Sequence, residues 1–276
     1  MLRTVCIAIL LLVTPSPTDS AERLNLATTT SVDNSGLLEM LIPPFEERFG
    51  MKVAVISVGT GKALKLAENG DVDVVIIHAP AAEEEFVKQG FGVNRRQFMF
   101  NHFLIAGPSQ DPASVAAAED AAQAFQRVAR SSSPFISRGD DSGTHRRERM
   151  MWSEAGIEPE GRWYREVGQG MGASLLIADE TSSYILTDQA TFLAYRRKFN
   201  QLTELLQKGE ELYNPYAIIA VNPARWPKAD YFSAMALIAW VTSPEGQRLI
   251  EEYRVENEQV FRPLAVSSGG KPDGSR

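Results

Sequence analysis

The sequence predicts an α/β protein of two lobes, each a mixed, mostly parallel sheet flanked by helices. Short apolar runs alternate with stretches of helical periodicity along most of the chain, which is typical of βαβ units. Residues 73–77 are almost entirely apolar, as expected of a strand covered on both faces. Two strands, at 103–107 and 216–221, bracket a middle block with its own α/β pattern, which indicates two crossover strands acting as a hinge.

The first part of the chain predicts three strand–helix units. Strands at 24–27, 52–57 and 73–77 are followed by helical patterns at 35–49, 61–69 and 81–88. Pro43 and Pro44 should break or kink the first helix, because proline removes a backbone N–H and crowds the preceding turn.

The remaining elements continue the alternation. The middle block predicts strands at 135–137 and 184–187 and helices at 113–130, 142–155, after 171–173 and 188–195. Two helices at 231–241 and 244–253 close the fold. We therefore expect lobe I at 22–104 and 217–266, lobe II at 105–216, and a disordered Gly/Ser/Lys-rich tail at 267–276.

The N-terminus has the pattern of a cleaved secretory signal. Arg3 precedes a short apolar run, Val5 to Val13, and residues 14–21 are small and polar, so we interpret 1–21 as a signal peptide. A buried N-terminal helix is the alternative. The one cysteine, Cys6, lies within the apolar run, so the exported chain would lack disulfides and thiolate metal sites. The expected location is periplasmic or otherwise extracytoplasmic.

The bulk charge narrows the classes of function. The 276 residues carry a formal net charge of −7, which argues against nucleic-acid binding and provides no long-range attraction for anions. An anion site would therefore have to be built locally.

Three polar segments, each between a strand and a helix start, are the candidate site. They are 28–31 (Thr-Thr-Thr-Ser), 58–61 (Val-Gly-Thr-Gly) and 137–145 (Ser-Arg-Gly-Asp-Asp-Ser-Gly-Thr-His). Such loops lie at the carboxyl ends of strands, where open α/β sheets bind ligands. Free N–H groups at a helix start suit an anion, and hydroxyls add donors. Each segment alone is also explained by helix capping.

Arg138 is the strongest single candidate for binding an anion in these segments. Its planar guanidinium can hold two oxygens of an oxyanion at once. An ion pair with Asp140 or Asp141 is the alternative, and either neighbour could also position the arginine while it binds a ligand. The role of both carboxylates stays open at this point.

These segments resemble the tungstate-binding components of ABC transporters, a branch of the type II periplasmic solute-binding proteins related to molybdate- and phosphate-binding proteins. The similarity runs from about Leu26 to Phe261. Beyond the three segments it rests on His78-Ala79-Pro80, on 92–96 (Gly-Val-Asn-Arg-Arg), on 168–173 (Gly-Gln-Gly-Met-Gly-Ala) and on 186–188 (Leu-Thr-Asp).

The resemblance implies a two-lobed type II binding fold and a function in capturing tungstate for an ABC transporter permease. The implied ligand-binding residues are Thr29, Thr30, Ser31, Thr60, Gly61, Arg138, Ser142, Gly143 and Thr144. Tungsten would be held as the tungstate oxyanion through these residues, with no cation site, no cofactor and no catalytic residue. We further expect a monomer that binds no nucleic acid.

Other ligands and functions stay open in the sequence. Molybdate has almost the same size and charge as tungstate, so only the resemblance separates the two. Phosphate-binding relatives use an aspartate in an Asp-Ala-Pro context, where this chain has His78-Ala79-Pro80; losing that carboxylate favours tungstate, molybdate or sulfate. His78 could contact ligand or be structural.

An exported hydrolase or a sensor is the alternative from another class. A hydrolase would need a triad from Ser142, His145 and Asp140 or Asp141, at a spacing uncommon for triads and without a Gly-x-Ser-x-Gly turn.

Overall fold

The computed structural model describes residues 23–265. The predicted signal peptide at 1–21 and the predicted disordered tail at 267–276 lie outside the described residues. Over 23–265, none of the helices combines the length and apolarity that a membrane span requires.

Strands and helices alternate along the chain as the sequence predicts. The strands are β1 (Arg23–Thr29), β2 (Lys52–Val58), β3 (Val74–Ile77), β4 (Gly92–Pro108), β5 (Phe135–Ser137), β6 (Tyr164–Glu166), β7 (Ile185–Asp188), β8 (Leu202–Leu206), β9 (Tyr213–Val221), β10 (Arg254–Val255), β11 (Glu258–Gln259) and β12 (Arg262–Pro263). The helices are α1 (Thr30–Asn34), α2 (Leu37–Phe49), α3 (Thr60–Asn69), α4 (Pro80–Lys88), α5 (Ala121–Ser131), α6 (Gly143–Glu154), α7 (Met171–Glu180), α8 (Gln189–Tyr195), α9 (Tyr231–Val241) and α10 (Pro244–Glu252).

The first sheet places three helix starts at one edge. Its strand order is β12-β4-β9-β3-β1-β2, and β1 pairs in parallel with both β2 and β3. Because parallel strands end at the same edge, the starts of α1, α3 and α4 lie beside one another. This edge faces the middle block.

Two long strands join the lobes. The first part of β4 pairs antiparallel with β9, up to the pair His102–Tyr213, and its last part, from Phe103 on, pairs antiparallel with β7 and β8. The eight-stranded sheet is therefore mixed, with parallel pairs in β1–β3 and antiparallel pairs along the crossover strands, whereas β5 and β6 form a separate parallel pair. One strand, β4, thus belongs to the sheets of both lobes.

Two sequence predictions about helices were wrong in detail. The α2 helix runs unbroken through Pro43 and Pro44, because its apolar face, with Leu41, Ile42 and Phe45, is buried in the core and this burial outweighs two lost backbone bonds. The helix predicted from residue 113 begins at Ala121, because the side chain of Asp120 accepts from Gln123 N–H and caps it there.

The apolar core is continuous between the lobes. One buried cluster includes Val32 of α1, Met171 of α7 and Phe192 of α8. A second cluster, around Phe125, Phe135 and Trp152, lies within the middle block. The start of α1 is thereby held firmly against the middle block.

Candidate functional site

The first turns of α3 and α6 meet across the cleft. The backbone N–H of Gly143 donates to Thr60 Oγ1 at 2.9 Å. A side-chain Cβ at Gly143 would lie 3.1 Å from the His78 carbonyl oxygen and 3.3 Å from Thr60 Oγ1. A side chain here would push its neighbours away by a few tenths of an ångström, so the two helix starts and the end of β3 closely surround one shared space.

The loop after β1 contributes two buried hydroxyls to the same space. Thr29 caps α1 by accepting from Val32 N–H, at 3.4 Å, and its Oγ1 lies 3.1 Å from Ser31 Oγ. Ser31 Oγ lies 2.9 Å from His78 Nε2. Thr30, the third candidate of this loop, is half-buried, whereas Thr29 and Ser31 are buried.

His78 is fixed from behind by a polar network. Its Nδ1 lies 3.0 Å from Asn214 Oδ1, and Asn214 Nδ2 donates to Asn101 Oδ1 at 2.7 Å and to the Tyr216 hydroxyl at 3.0 Å. The His78 ring stacks on Tyr216 with ring centres 4.8 Å apart. Burial lowers the pKa of His78 to about 4, partly opposed by the Asn214 hydrogen bond and reinforced by the charge of Arg138. At neutral pH His78 is therefore an uncharged imidazole.

Arg138 is buried at the end of β5, with 3% of its surface exposed. Its Nη2 donates to Asp140 Oδ2 at 2.5 Å, and Asp140 Oδ1 accepts from Ser142 N–H at 3.2 Å. Asp140 therefore positions the arginine, while Arg138 Nε is buried without a hydrogen-bond partner. Because an unpaired buried donor is costly, this N–H is a ready site for an anionic oxygen.

The start of α6 supplies further donors. Ser142 caps the helix, accepting from His145 N–H at 3.2 Å. Thr144 Oγ1 is buried without a partner. Together with the helix dipole, this unmatched hydroxyl makes the first turn of α6 favourable for a negative charge.

The two carboxylates of the 137–145 segment have different places. Asp141 turns away from Arg138 and binds Arg146 in a bidentate pair, at 2.9 and 2.7 Å. This bond is the main reason why the pKa of Asp141 is lowered. A Cβ at Gly61 would lie 3.0 Å from Asp141 Oδ2, so this ion pair stands at the mouth of the cleft against α3.

A further buried carboxylate, Asp188, also belongs to the site. Burial raises its pKa, whereas its bonds to Thr191 and the charge of Arg138 lower it. Asp188 also caps α8, accepting from Thr191 N–H at 2.9 Å and from Thr191 Oγ1 at 2.8 Å. The sequence did not predict that Asp188 lies near Arg138, because the two residues stand at the ends of different strands, β7 and β5.

The arrangement fits an anion and not a cation. No group of three His, Cys, Asp or Glu side chains within 23–265 is close enough to hold a metal ion. The unmatched groups at the centre are donors, Arg138 Nε and Thr144 Oγ1. This centre can therefore hold an oxyanion by hydrogen bonds.

A cavity of about 480 Å³ adjoins this centre. His78 and Gly143 line both the cavity and the site, whereas the other walls are mainly apolar and include Phe103, Met150 and Tyr213. Thr29, Ser31 and Arg138 do not line it. The cavity is therefore a neighbour of the anion site and shares His78 and Gly143 with it.

The described hydrogen bonds do not form a Ser–His–Asp relay. Ser142 Oγ accepts from the backbone of His145, and the ring of His145 accepts from Asp141 N–H at 3.1 Å through its Nδ1. A nucleophile needs the imidazole to accept its proton, and here the ring faces the loop backbone instead.

Two lobes joined by crossover strands, with opposed helix starts and unmatched donors between them, define a solute-binding protein. Residues 15–245 match the family profile of the PBP superfamily domain. The chain belongs to this superfamily.

Its relatives include proteins that are named as tungstate-binding. The tungstate-binding protein TupA of Peptoclostridium acidaminophilum is 40% identical over 245 residues, covering 87% of this chain and 85% of the relative. The structure of the tungstate ABC transporter protein from Geobacter sulfurreducens is 51% identical, with a TM-score of 0.78, covering 84% of this chain and 99% of that one. TupA from Desulfovibrio alaskensis G20 is 41% identical, with a TM-score of 0.77, covering 89% and 100%.

Proposed function

We propose that this protein captures tungstate outside the cytoplasm and delivers it to the membrane permease of an ABC importer. The observation that carries the proposal is the pair of unmatched buried donors, Arg138 Nε and Thr144 Oγ1, beside the contact between Thr60 and Gly143. A tetrahedral oxyanion supplies the acceptors that these donors lack.

The remaining predicted residues belong to this proposal. Thr29, Ser31 and Thr60 supply hydroxyls, and Thr30 and Gly61 supply backbone N–H groups at helix starts. Ser142 and Gly143 shape the first turn of α6 through their N–H bonds to Asp140 and Thr60, and this turn presents Thr144 to the anion. Arg138 adds a buried positive charge, which Asp140 orients. No residue binds tungsten itself, and no cofactor takes part. This division of roles is supported by the geometry and by relatives that are tungstate-binding proteins.

Delivery to a permease involves closure of the lobes. The lobes divide at 104/105 and 216/217, within the crossover strands β4 and β9, and the closed form binds the ligand. The protein is exported through residues 1–21, acts as a monomer and catalyses no reaction.

Molybdate is the second candidate, because it presents the same tetrahedron of oxygens to the same donors. Phosphate and sulfate rank below both. The uncharged His78, held between Ser31 and Asn214, stands where a carboxylate would accept the proton of a phosphate.

A thermal-shift series with tungstate, molybdate, sulfate and phosphate tests the proposal. A ligand that binds only the folded chain raises its melting temperature. We expect tungstate to give the largest rise at low concentration, followed by molybdate. A series in which tungstate gives no rise would contradict the proposed function, and one led by another anion would reassign the ligand.

A further inference from the structure

The hydroxyls of Ser31 and Thr29 both donate their hydrogens to acceptors within the protein, and the hydrogen bonds of His78 show why. Asn214 Nδ2 donates to Asn101 and to Tyr216, so Asn214 Oδ1 is the atom that faces His78 Nδ1. An acceptor at that place requires the hydrogen of the ring to be on Nδ1.

The position of the hydrogen on His78 also fixes which atoms donate in the hydrogen bonds of Ser31 and Thr29, which face the ligand. An uncharged imidazole carries one hydrogen, so Nε2 of His78 is a lone pair, and Ser31 must donate to it at 2.9 Å. Thr29 then donates its own hydrogen to Ser31 Oγ at 3.1 Å. In this state both hydroxyls offer an incoming dianion only lone pairs, which repel it.

We infer that binding of the dianion is coupled to the uptake of one proton by His78. This inference rests on the proposed function. The proton comes from the solvent and binds Nε2, which then donates to Ser31 Oγ. The hydrogen of Ser31 is released and turns to the anion, so one proton both reverses the hydrogen bond and adds a positive charge beside the ligand.

The surroundings of His78 decide when the proton binds. Arg138 opposes protonation, and burial opposes it more strongly, which keeps the pKa of His78 low in the empty site. On β9, Tyr216 stays uncharged because burial raises its pKa. On α4, the Glu83 carboxylate is engaged by Arg95 and by Ala79 N–H.

The anion itself changes this balance. Asp188, at the end of β7, is a buried carboxyl near Arg138, and Phe103 on β4 is apolar. A dianion placed against Ser31 adds two negative charges at close range in a buried site, and favours charged His78. The pKa of His78 is therefore raised by the ligand, so affinity rises as the pH falls and is lost as the pH rises through the ligand-bound pKa.

The alternative is that Ser31 turns to the anion while His78 stays neutral. Its Nε2 would then be a buried acceptor without a partner, which is unfavourable. Protonation gives Nε2 a hydrogen to donate, and the two charges of the anion offset the cost of charging the buried ring. The two routes differ in one measurable quantity, the number of protons bound with each tungstate.

Titration calorimetry with tungstate, in buffers of different ionisation enthalpy at the same pH, measures that number. We expect uptake of about one proton per tungstate at about pH 7, and an affinity that falls by up to about tenfold per pH unit toward pH 9. His78→Gln, whose amide can donate to Ser31 without a proton from solvent, should bind tungstate more weakly and lose both the uptake and the pH slope.

The other two histidines are the controls. His102→Gln, outside the site, and His145→Gln, in the first turn of α6, should keep the uptake. Uptake of zero with clear tungstate binding, or uptake that persists in His78→Gln, would overturn the coupling and leave the proposed function intact. Absence of tungstate heat in every buffer would overturn both.

Discussion

Gly143 N–H donates to Thr60 Oγ1 at 2.9 Å, which joins the first turn of α6 to the first turn of α3. This bond couples the two lobes at the same place where the unmatched donors lie. The contact between the lobes and the binding of the anion therefore share residues, and substitutions here should change both.

Thr60→Val keeps the shape of the side chain and removes its hydroxyl. We expect tungstate affinity to fall by about 5- to 20-fold, because the closed form loses one hydrogen bond and leaves Gly143 N–H unpaired. Calorimetry measures the change. Thr203→Val, on β8 away from the site, is the matched control and should bind as the parent does. Equal affinities for both variants would remove Thr60 from the closed form.

Gly143→Ala tests the close approach of the helix starts. The added Cβ would lie 3.1 Å from the His78 carbonyl oxygen, so the lobes must separate slightly. We expect an affinity loss of more than about tenfold, because each donor moves away from its oxygen. Gly170→Ala adds a methyl into open space at the start of α7 and should change little.

Arg138→Ala should weaken tungstate binding by at least about tenfold, since it removes a charge-assisted contact and leaves the half-buried Asp140 without its partner. Arg138→Lys should recover only part of this loss, because an ammonium cannot hold two oxygens with the geometry of a guanidinium. Arg130→Ala, on the exposed side of α5, removes the same positive charge far from the site and so controls for the change in net charge. Parent-like affinity in Arg138→Ala would place the anion elsewhere.

Glu148→Gln should change how stability depends on pH. Burial raises the pKa of Glu148 to about 7, although bonds from Ser137, Tyr164 and Trp152 oppose the rise. The folded chain thus holds this proton more tightly than the unfolded chain. The resulting stabilisation is complete below the unfolded pKa and is lost as the pH rises through about 7.

The glutamine variant lacks this loss. Relative to the parent, its free energy of unfolding should rise by about 1–3 kcal/mol between about pH 5 and about pH 8. Urea denaturation without tungstate measures the difference. Glu160→Gln, an exposed carboxyl, should follow the parent at each pH. Parallel curves for the parent and Glu148→Gln would show that Glu148 ionises normally.

Much of the fold and site follows from local pattern. Strand–helix alternation predicted the β1–β3 units, and the polar turns after them, with Arg138, predicted where helix starts converge. The His78–Asn214–Asn101 network could not be predicted, because its members come from β4, β9 and the end of β3, and pairing between distant strands leaves no short-range signal. The predicted break at the prolines of α2 was wrong for a related reason. The loss of two backbone hydrogen bonds is a local effect, and burial of the helix face in the core, which the local pattern does not show, outweighs it.

The pairing of Asn101 with Asn214 and of His102 with Tyr213 places the two connections of the middle block on neighbouring rungs of a ladder. The middle block is therefore an insertion into the first sheet, and the chain leaves and re-enters that sheet at two points about 5 Å apart. A replacement module needs ends that are equally close and an apolar surface that takes the place of Met171 and Phe192 in the shared core. A related middle block meets both conditions, which makes this junction a point for exchanging specificity between relatives.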